Sequence, residues 1–348
     1  MKPLSEQQSK TDYITLLSVV AAFSVVFLHA NGCFWTYSTA RYWFTANIIE
    51  SFFYFAVPTF FMITGATLLD YRDRYSTKEY AVKRIKKTVI PFLVWSLLGV
   101  LYKVLRGWIT PDMLSFKFVF GGILDTKIIP IYWFFTALFG VYLCIPLFSA
   151  IPKEKRKTIF SYLAIASFVF NSFIPFLFVV FSPDYYWPVS VTVGTEYLMY
   201  VLVGYLINEY DLPKYGKILI YVSSLAGLLI HIIGTYQFST AAGYLNQSFK
   251  GYNNAPSVMY SVGIFLFFKE YGNKIMNSFL RKPIKFLSNY TFGLYLIHIY
   301  ILELFRDGFS FSVYSIVYRL GSPFVVICIA IAILFVIKKI PYLNKIIP

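Results

Sequence analysis

The chain predicts an all-α, polytopic membrane protein with about ten transmembrane helices and both termini in the cytoplasm. Three observations carry that prediction. The 348 residues are 58% hydrophobic and only 14% charged, against roughly 25% charged in a soluble domain. Apolar runs approaching spanning length, about 17–25 residues, recur along the chain. Basic residues collect on alternate connections between those runs, as cytoplasmic loops do.

Each run has its place in that alternation. Tyr13–Ala30 follows Lys2 and Lys10 and has no small-residue cleavage site after it, so it reads as a retained, outward-running helix. Phe44–Leu69 returns to a basic segment holding Arg72, Arg74, Lys78, Lys83, Arg84, Lys86 and Lys87. Val89–Val104 runs out, and Ile128–Ala150 comes back to Lys153, Lys155, Arg156 and Lys157. Ile159–Val180 runs out, and Val189–Ile207 returns to Lys214 and Lys217. Ile218–Thr235 runs out. Ser257–Phe268, the shortest, follows Asn253, Asn254 and Pro256 and leads to Lys269, Lys274, Arg281, Lys282 and Lys285. Ile284–Phe305 runs out, and Val313–Ile337 ends at Lys338, Lys339 and Lys345.

With the N-terminus inside, 23 of the 31 basic residues fall on inner segments. An odd number of helices would spoil that bias. The net charge of +15 is therefore mainly a topology signal, and nucleic acid is not an expected partner. Cys33, Cys144 and Cys328 share no metal or redox spacing, so neither a disulfide framework nor a metal site is expected. Residues 1–348 are expected to form a single integral membrane domain.

Ionisable side chains inside membrane helices are costly and mark functional sites by default. The chain has three histidines: His29, His231 and His298. His29 falls near the outer end of the first helix. Glu50, Tyr132, Trp133, Glu196, Tyr295, His298 and Glu303 fall in the same outer layer from four other helices. His231 has no motif around it. Glu50, Trp133 and Glu196 are the candidate substrate-binding residues of the layer. On the inner side, Arg84 and Lys87 are three residues apart. That spacing predicts one helix face, and such a pair can hold phosphates.

Six blocks in order resemble the bacterial acyltransferase 3 family, which includes polysaccharide and peptidoglycan O-acetyltransferases. His29 matches the histidine of the family's Arg-x10-His signature. Val57-Pro-Thr-Phe-Phe-Met-Ile-Thr-Gly65 is similar to the helix 2 block. Arg84-Ile-Lys-Lys87, followed by Ile-Pro91-Phe-Leu-Val-Trp95, is similar to the Arg-x-x-Arg block and its proline. Tyr132-Trp133-Phe134 matches the aromatic motif of helix 4. Leu198-Met-Tyr-Val-Leu-Val-Gly204-Tyr205 and Leu287-Ser-Asn-Tyr-Thr-Phe-Gly-Leu-Tyr295-Leu-Ile-His298 resemble the helix 6 and C-terminal blocks. The chain departs from the pattern at three places: Ser18 where the signature has Arg, Lys87 for the second Arg, and Ile131 where a His often precedes the aromatics.

The resemblance implies a bacterial cytoplasmic-membrane O-acetyltransferase. Acetyl-CoA from the cytoplasm would be the acyl donor, with no metal. A hydroxyl of an envelope polysaccharide or glycolipid at the outer side would be the acceptor. His29 would act as general base or transient acyl carrier, with Tyr295 and His298 beside it. Ser18, Arg84 and Lys87 would take the donor-binding positions. Eleven residues span about three helical turns, roughly 16 Å, so an extended acyl-pantetheine arm could lie between positions 18 and 29. The bilayer is a partner by construction, and a homo-oligomer is compatible with the sequence. The alternative is a transporter or flippase for a polar lipid or lipid-linked sugar. Against it stand the inner cationic pair and the lack of matching Gly/Pro-broken segments in two halves.

Overall fold

The computed structural model describes residues 4–182, 184–194, 196–276, 279–309 and 311–347, with side chains from Asp12 onward. Lys2 lies outside the described residues. The fold is all-helical, with no strand among the described residues. The described residues form fifteen α-helices: α1 Leu4–Ala30, α2 Arg41–Phe53, α3 Ala56–Leu68, α4 Thr77–Arg84, α5 Ile90–Leu105, α6 Phe116–Leu124, α7 Trp133–Ser149, α8 Lys153–Ser167, α9 Ile174–Phe181, α10 Tyr197–Glu209, α11 Lys214–Ala242, α12 Ala255–Met276, α13 Arg281–Ser288, α14 Thr291–Gly308 and α15 Ile316–Lys339. Two pairs run on through single π turns, Ile85–Val89 between α4 and α5 and Phe168–Phe173 between α8 and α9.

Among the described residues, seven stretches are long and apolar enough to cross a membrane: Asp12–Ala30, Arg41–Asp73, Thr77–Leu105, Pro130–Ser149, Lys153–Phe181, Lys214–Ala242 and Ile316–Lys339. The three other expected spans, now α10, α12 and α14, fall below that requirement. α10 has 13 residues, and α14 carries Glu303, Arg306 and Asp307 in its second half.

Several expected boundaries are corrected. Phe44–Leu69 is not one helix but α2 and α3, broken at Tyr54-Phe55. Pro58 has no N–H to give the Tyr54 carbonyl four residues back, so the ladder cannot run through. Ile284–Phe305 divides at Asn289-Tyr290, where both N–H groups turn back three residues, to Phe286 and Leu287. The expected span Val189–Ile207 becomes helical only at Tyr197. Before it, Pro188, a run of β-branched residues and Gly194 at φ +94° keep the apolar backbone irregular. Hydropathy alone does not separate such a segment from a helix. Conversely, Ser257–Phe268 grows into the 22-residue α12.

The chain forms two compact units. One is the chain up to Leu68 with Ile151–Ala332; the other is Leu69–Ala150 with the chain from Ile333. In the first, α3 and α10 approach to backbone contact. A Cβ added at Gly65 would lie 1.9 Å from the Val201 carbonyl oxygen, and one at Gly204 would lie 2.1 Å from that of Met62. α12 packs along α1 with Tyr13 edge-on to Phe265. Asp12 at the start of α1 pairs with Arg281 and Lys285 of α13, at 2.8 and 3.1 Å. In the second unit, a capping box starts α4. The Ser76 N–H donates to Glu79 Oε2 at 2.9 Å, and the Glu79 N–H donates to Ser76 Oγ at 3.2 Å, which satisfies two of the orphan donors of a helix start.

Candidate active site

α14 buries Leu294, Ile297, His298 and Ile301, a three-and-four spacing that turns one stripe inward. His298 sits on that stripe, with no exposure to solvent. His29 closes the last turn of α1, just before the chain tightens into the 3-10 turn Gly32–Trp35. The two histidines, predicted only to share a depth, are hydrogen-bonded to each other. His29 Nδ1 and His298 Nε2 are 2.7 Å apart, with the rings nearly parallel at 26°.

The surrounding network assigns their hydrogens. His298 Nδ1 lies 3.0 Å from the Leu294 carbonyl and 2.9 Å from the Tyr295 carbonyl. Carbonyl oxygens only accept, so Nδ1 carries the hydrogen. In the neutral ring Nε2 then holds the lone pair, and it accepts from His29 Nδ1–H. His29 Nε2 is left with its own lone pair. The pair has the form of a catalytic base oriented by a second group, with an imidazole in the orienting place. Tyr295 lies beside it, ring centroid 5.9 Å from that of His298, packed against Ala21, Val25, Leu28 and Ala56.

A second buried layer adjoins it. Asn31, two residues beyond His29, donates from Nδ2 to the Ala46 carbonyl at 2.9 Å and to Glu50 Oε2 at 3.3 Å. Glu50 and Lys250 are both buried. Lys250 Nζ donates to Ser51 Oγ at 2.8 Å and stands over the rings of Phe34 and Tyr54, at 4.7 and 5.6 Å. A charge so far from water needs such compensation. Tyr252, two residues on, stacks on Tyr54 at 4.5 Å, and its carbonyl accepts from the Tyr200 hydroxyl. Thus the connection between α11 and α12 is pinned into the polar layer by Lys250 and Tyr252.

The remaining predicted residues are dispersed. Ser18 lies on α1 eleven residues before His29 and donates to the Thr15 carbonyl of its own helix, at 2.9 Å. Glu196 immediately precedes α10 and lines a cavity described below. Trp133, Arg84 and Lys87 belong to the second unit. Trp133 opens α7, next to the buried Tyr132. Arg84 ends α4, and Lys87 follows within the π turn, so the α-helical three-residue spacing that predicted a common face is interrupted. The Arg84 guanidinium lies over Tyr142 and Tyr80, at 5.5 and 5.9 Å. Its Nε is buried without a hydrogen-bond partner. Single π turns frequently mark functional positions.

Sequence reasoning missed Asn31, Lys250 and Tyr252. A signal existed for one of them: Lys250 is one of the eight basic residues on the side where few are expected.

Comparison with curated proteins and with solved structures gives no match. A match to a family model, described as an acyltransferase domain, runs over residues 11–337, nearly the whole chain. It contains both histidines, the buried polar layer and the Arg84 turn, and it establishes that the chain belongs to the acyltransferase 3 family.

Proposed function

We propose that the protein transfers an acyl group, in the first instance acetyl from cytoplasmic acetyl-CoA, to a hydroxyl of an envelope polysaccharide or glycolipid. It would do so in the bacterial cytoplasmic membrane, with the acceptor at the outer side. The observation that carries this reading is the hydrogen-bonded His29–His298 pair, which leaves a lone pair on Nε2 of the half-buried His29 ring, held in direction by that bond.

In this reading His29 Nε2 takes the acceptor's hydroxyl proton as the oxygen attacks the thioester carbonyl. The resulting imidazolium keeps its Nδ1–H bonded to His298 Nε2. Collapse of the tetrahedral intermediate breaks the C–S bond, and the thiolate recovers the proton from His29. The products are the O-acyl ester and the free thiol. Arg84, with its unpaired Nε, and Lys87 are suited to the donor's phosphates, although Lys87 supplies charge without the guanidinium fork. Ser18 stands where the family places an arginine, so any grip on the donor from that position is weaker here.

The test uses purified full chain in nanodiscs with labelled acetyl-CoA and an extract of envelope glycans. Labelled acetyl ester on glycan, abolished in His29→Gln, is the expected result. The glutamine keeps one polar end but cannot take up a proton. Absence of any transfer by well-folded wild type, or full transfer by His29→Gln, would overturn the assignment.

A further inference from the structure

The π turn between α8 and α9 borders a cavity of about 360 Å³, within the roughly 300–1,000 Å³ range of small-molecule sites. Ser167, Asn171, Trp187, Gly194, Glu196 and Asn253 contribute to its wall. Three of these present polar atoms that are buried yet unpartnered: Ser167 Oγ, Trp187 Nε1 and Asn253 Oδ1. Ser167 itself is only 1% exposed. Orphaned buried groups are rare and each calls for an explanation.

The wall is built to keep this space open. Asn171, inside the π turn, clamps the segment before α10. Its Nδ2 donates to the Val191 carbonyl at 2.9 Å, and its Oδ1 accepts from the Val191 N–H at 2.8 Å. Gly194 has φ +94°, and a Cβ there would come within 2.9 Å of Ser167 Oγ. Glu196 is held at φ +51°, a costly backbone for a residue with a side chain, and such strain clusters at binding and catalytic sites. The Trp187 ring is fixed between Phe170 and Phe178, at 6.2 and 5.8 Å.

The wall also has a definite chemical sense. Trp187 Nε1–H only donates, Asn253 Oδ1 and the Glu196 carboxylate accept, and the Ser167 hydroxyl does both. A phosphate would satisfy the donors but meet Glu196; a cation would leave Trp187 unmet. Neighbouring hydroxyls, each donor and acceptor at once, satisfy all four. Asn253 adjoins Tyr252, which stacks on Tyr54 in the polar layer that holds Lys250.

We infer that this cavity is the acceptor subsite and holds a sugar ring, with Trp187, Ser167, Asn253 and Glu196 bonding its hydroxyls. The word acceptor rests on the acyl-transfer reading above; sugar binding does not. Met199 lines both this cavity and an apolar groove of about 600 Å³ along α8, α10 and α11, so a sugar could arrive free or on a lipid chain.

Saturation-transfer NMR on the full chain in nanodiscs, prepared without glycoside detergent, tests this directly. The probes are methyl β-glycosides of glucose, galactose and N-acetylglucosamine, and the same sugars on a diacylglycerol anchor in the disc. Wild type should saturate the ring protons of at least one sugar. Signal from the anchored form alone identifies a lipid-borne source, and signal from both forms identifies free chain ends as well. Trp187→Phe keeps the ring and removes the N–H. It and Glu196→Gln should each weaken binding about three- to tenfold, the worth of one hydrogen bond. Ser167→Leu should fill the cavity and abolish the signal. If that variant misfolds, the two milder ones decide. No saturation of any probe by wild type, or undiminished binding in Trp187→Phe and Glu196→Gln, overturns the inference. Sugar binding without acyl transfer sinks the proposed function and leaves this site standing. Transfer whose acceptor KM is unmoved in both variants does the reverse.

Discussion

The histidine pair and the Arg84 turn are both polar, yet they are built in opposite ways. His298 has no solvent exposure, and its Nδ1 is shared between two carbonyls of its own helix. Arg84 is half-buried, lies over two tyrosine rings and leaves Nε without a partner, while Lys87 is exposed. In the first region every hydrogen is assigned before a substrate arrives. In the second, charge is offered and hydrogen-bond capacity is held back. The difference teaches which task each can perform. Proton transfer needs a lone pair fixed in direction. Gripping a flexible anion needs charge and spare donors.

The comparison can be broken most decisively at His29. His29→Ala should lower acyl transfer by about 10²–10⁴-fold, the usual contribution of a general base, with the donor KM little changed. A loss that appeared only in KM would remove the distinction drawn here. His298→Ala should cost less, about 10–100-fold, as expected when a group that only orients another is removed. His29 then remains but its tautomer is no longer fixed. Single-turnover rates at saturating donor measure both.

The cationic region should behave oppositely. Arg84→Ala combined with Lys87→Ala should raise the donor KM at least tenfold, since bonds to charged groups are worth about 1.5–3 kcal/mol, and should leave kcat nearly intact. Arg84→Lys, which keeps the charge and loses the fork, should already show much of the effect. Equal KM in wild type and double variant would reduce the patch to a topology anchor.

The frame behind the histidines gives a third, stability-only contrast. Gly204→Ala would push a Cβ to 2.1 Å from the Met62 carbonyl oxygen. Overpacking of this kind costs about 1–3 kcal/mol, read as a lower Tm in nanodiscs, whereas the Arg84 and Lys87 variants should keep the wild-type Tm. The smallest effect should come from Asp125→Ala. Its 2.6 Å pair with Lys127 is exposed, such pairs contribute little, and neither Tm nor rate should move measurably.

The sequence made the chemistry of this site more legible than its architecture. A histidine in an apolar helix announces itself through the cost of burying it, and His29 and His298 stood out for that reason. That they touch could not be read, because contact depends on the packing of α14 against α1. Asn31, Lys250 and Tyr252 were hidden because they lie outside the regular apolar runs and act only once the α11–α12 connection is tucked in. The break inside Phe44–Leu69, which still lies within one stretch long and apolar enough to span, and the irregular start of Val189–Ile207 were invisible to hydropathy. The first follows from the missing N–H of Pro58, and the second from Pro188 and Gly194.

The mutual insertion of Gly65 and Gly204 has a mechanical consequence. Two helices whose backbones touch cannot slide by a residue, because any register shift drives a side chain into the neighbouring chain. α3 and α10 therefore move as one rod. Regular helix is interrupted at two joints just outside this rod, the Tyr54-Phe55 break before α3 and the irregular segment before α10. Those joints adjoin the polar layer and the cavity.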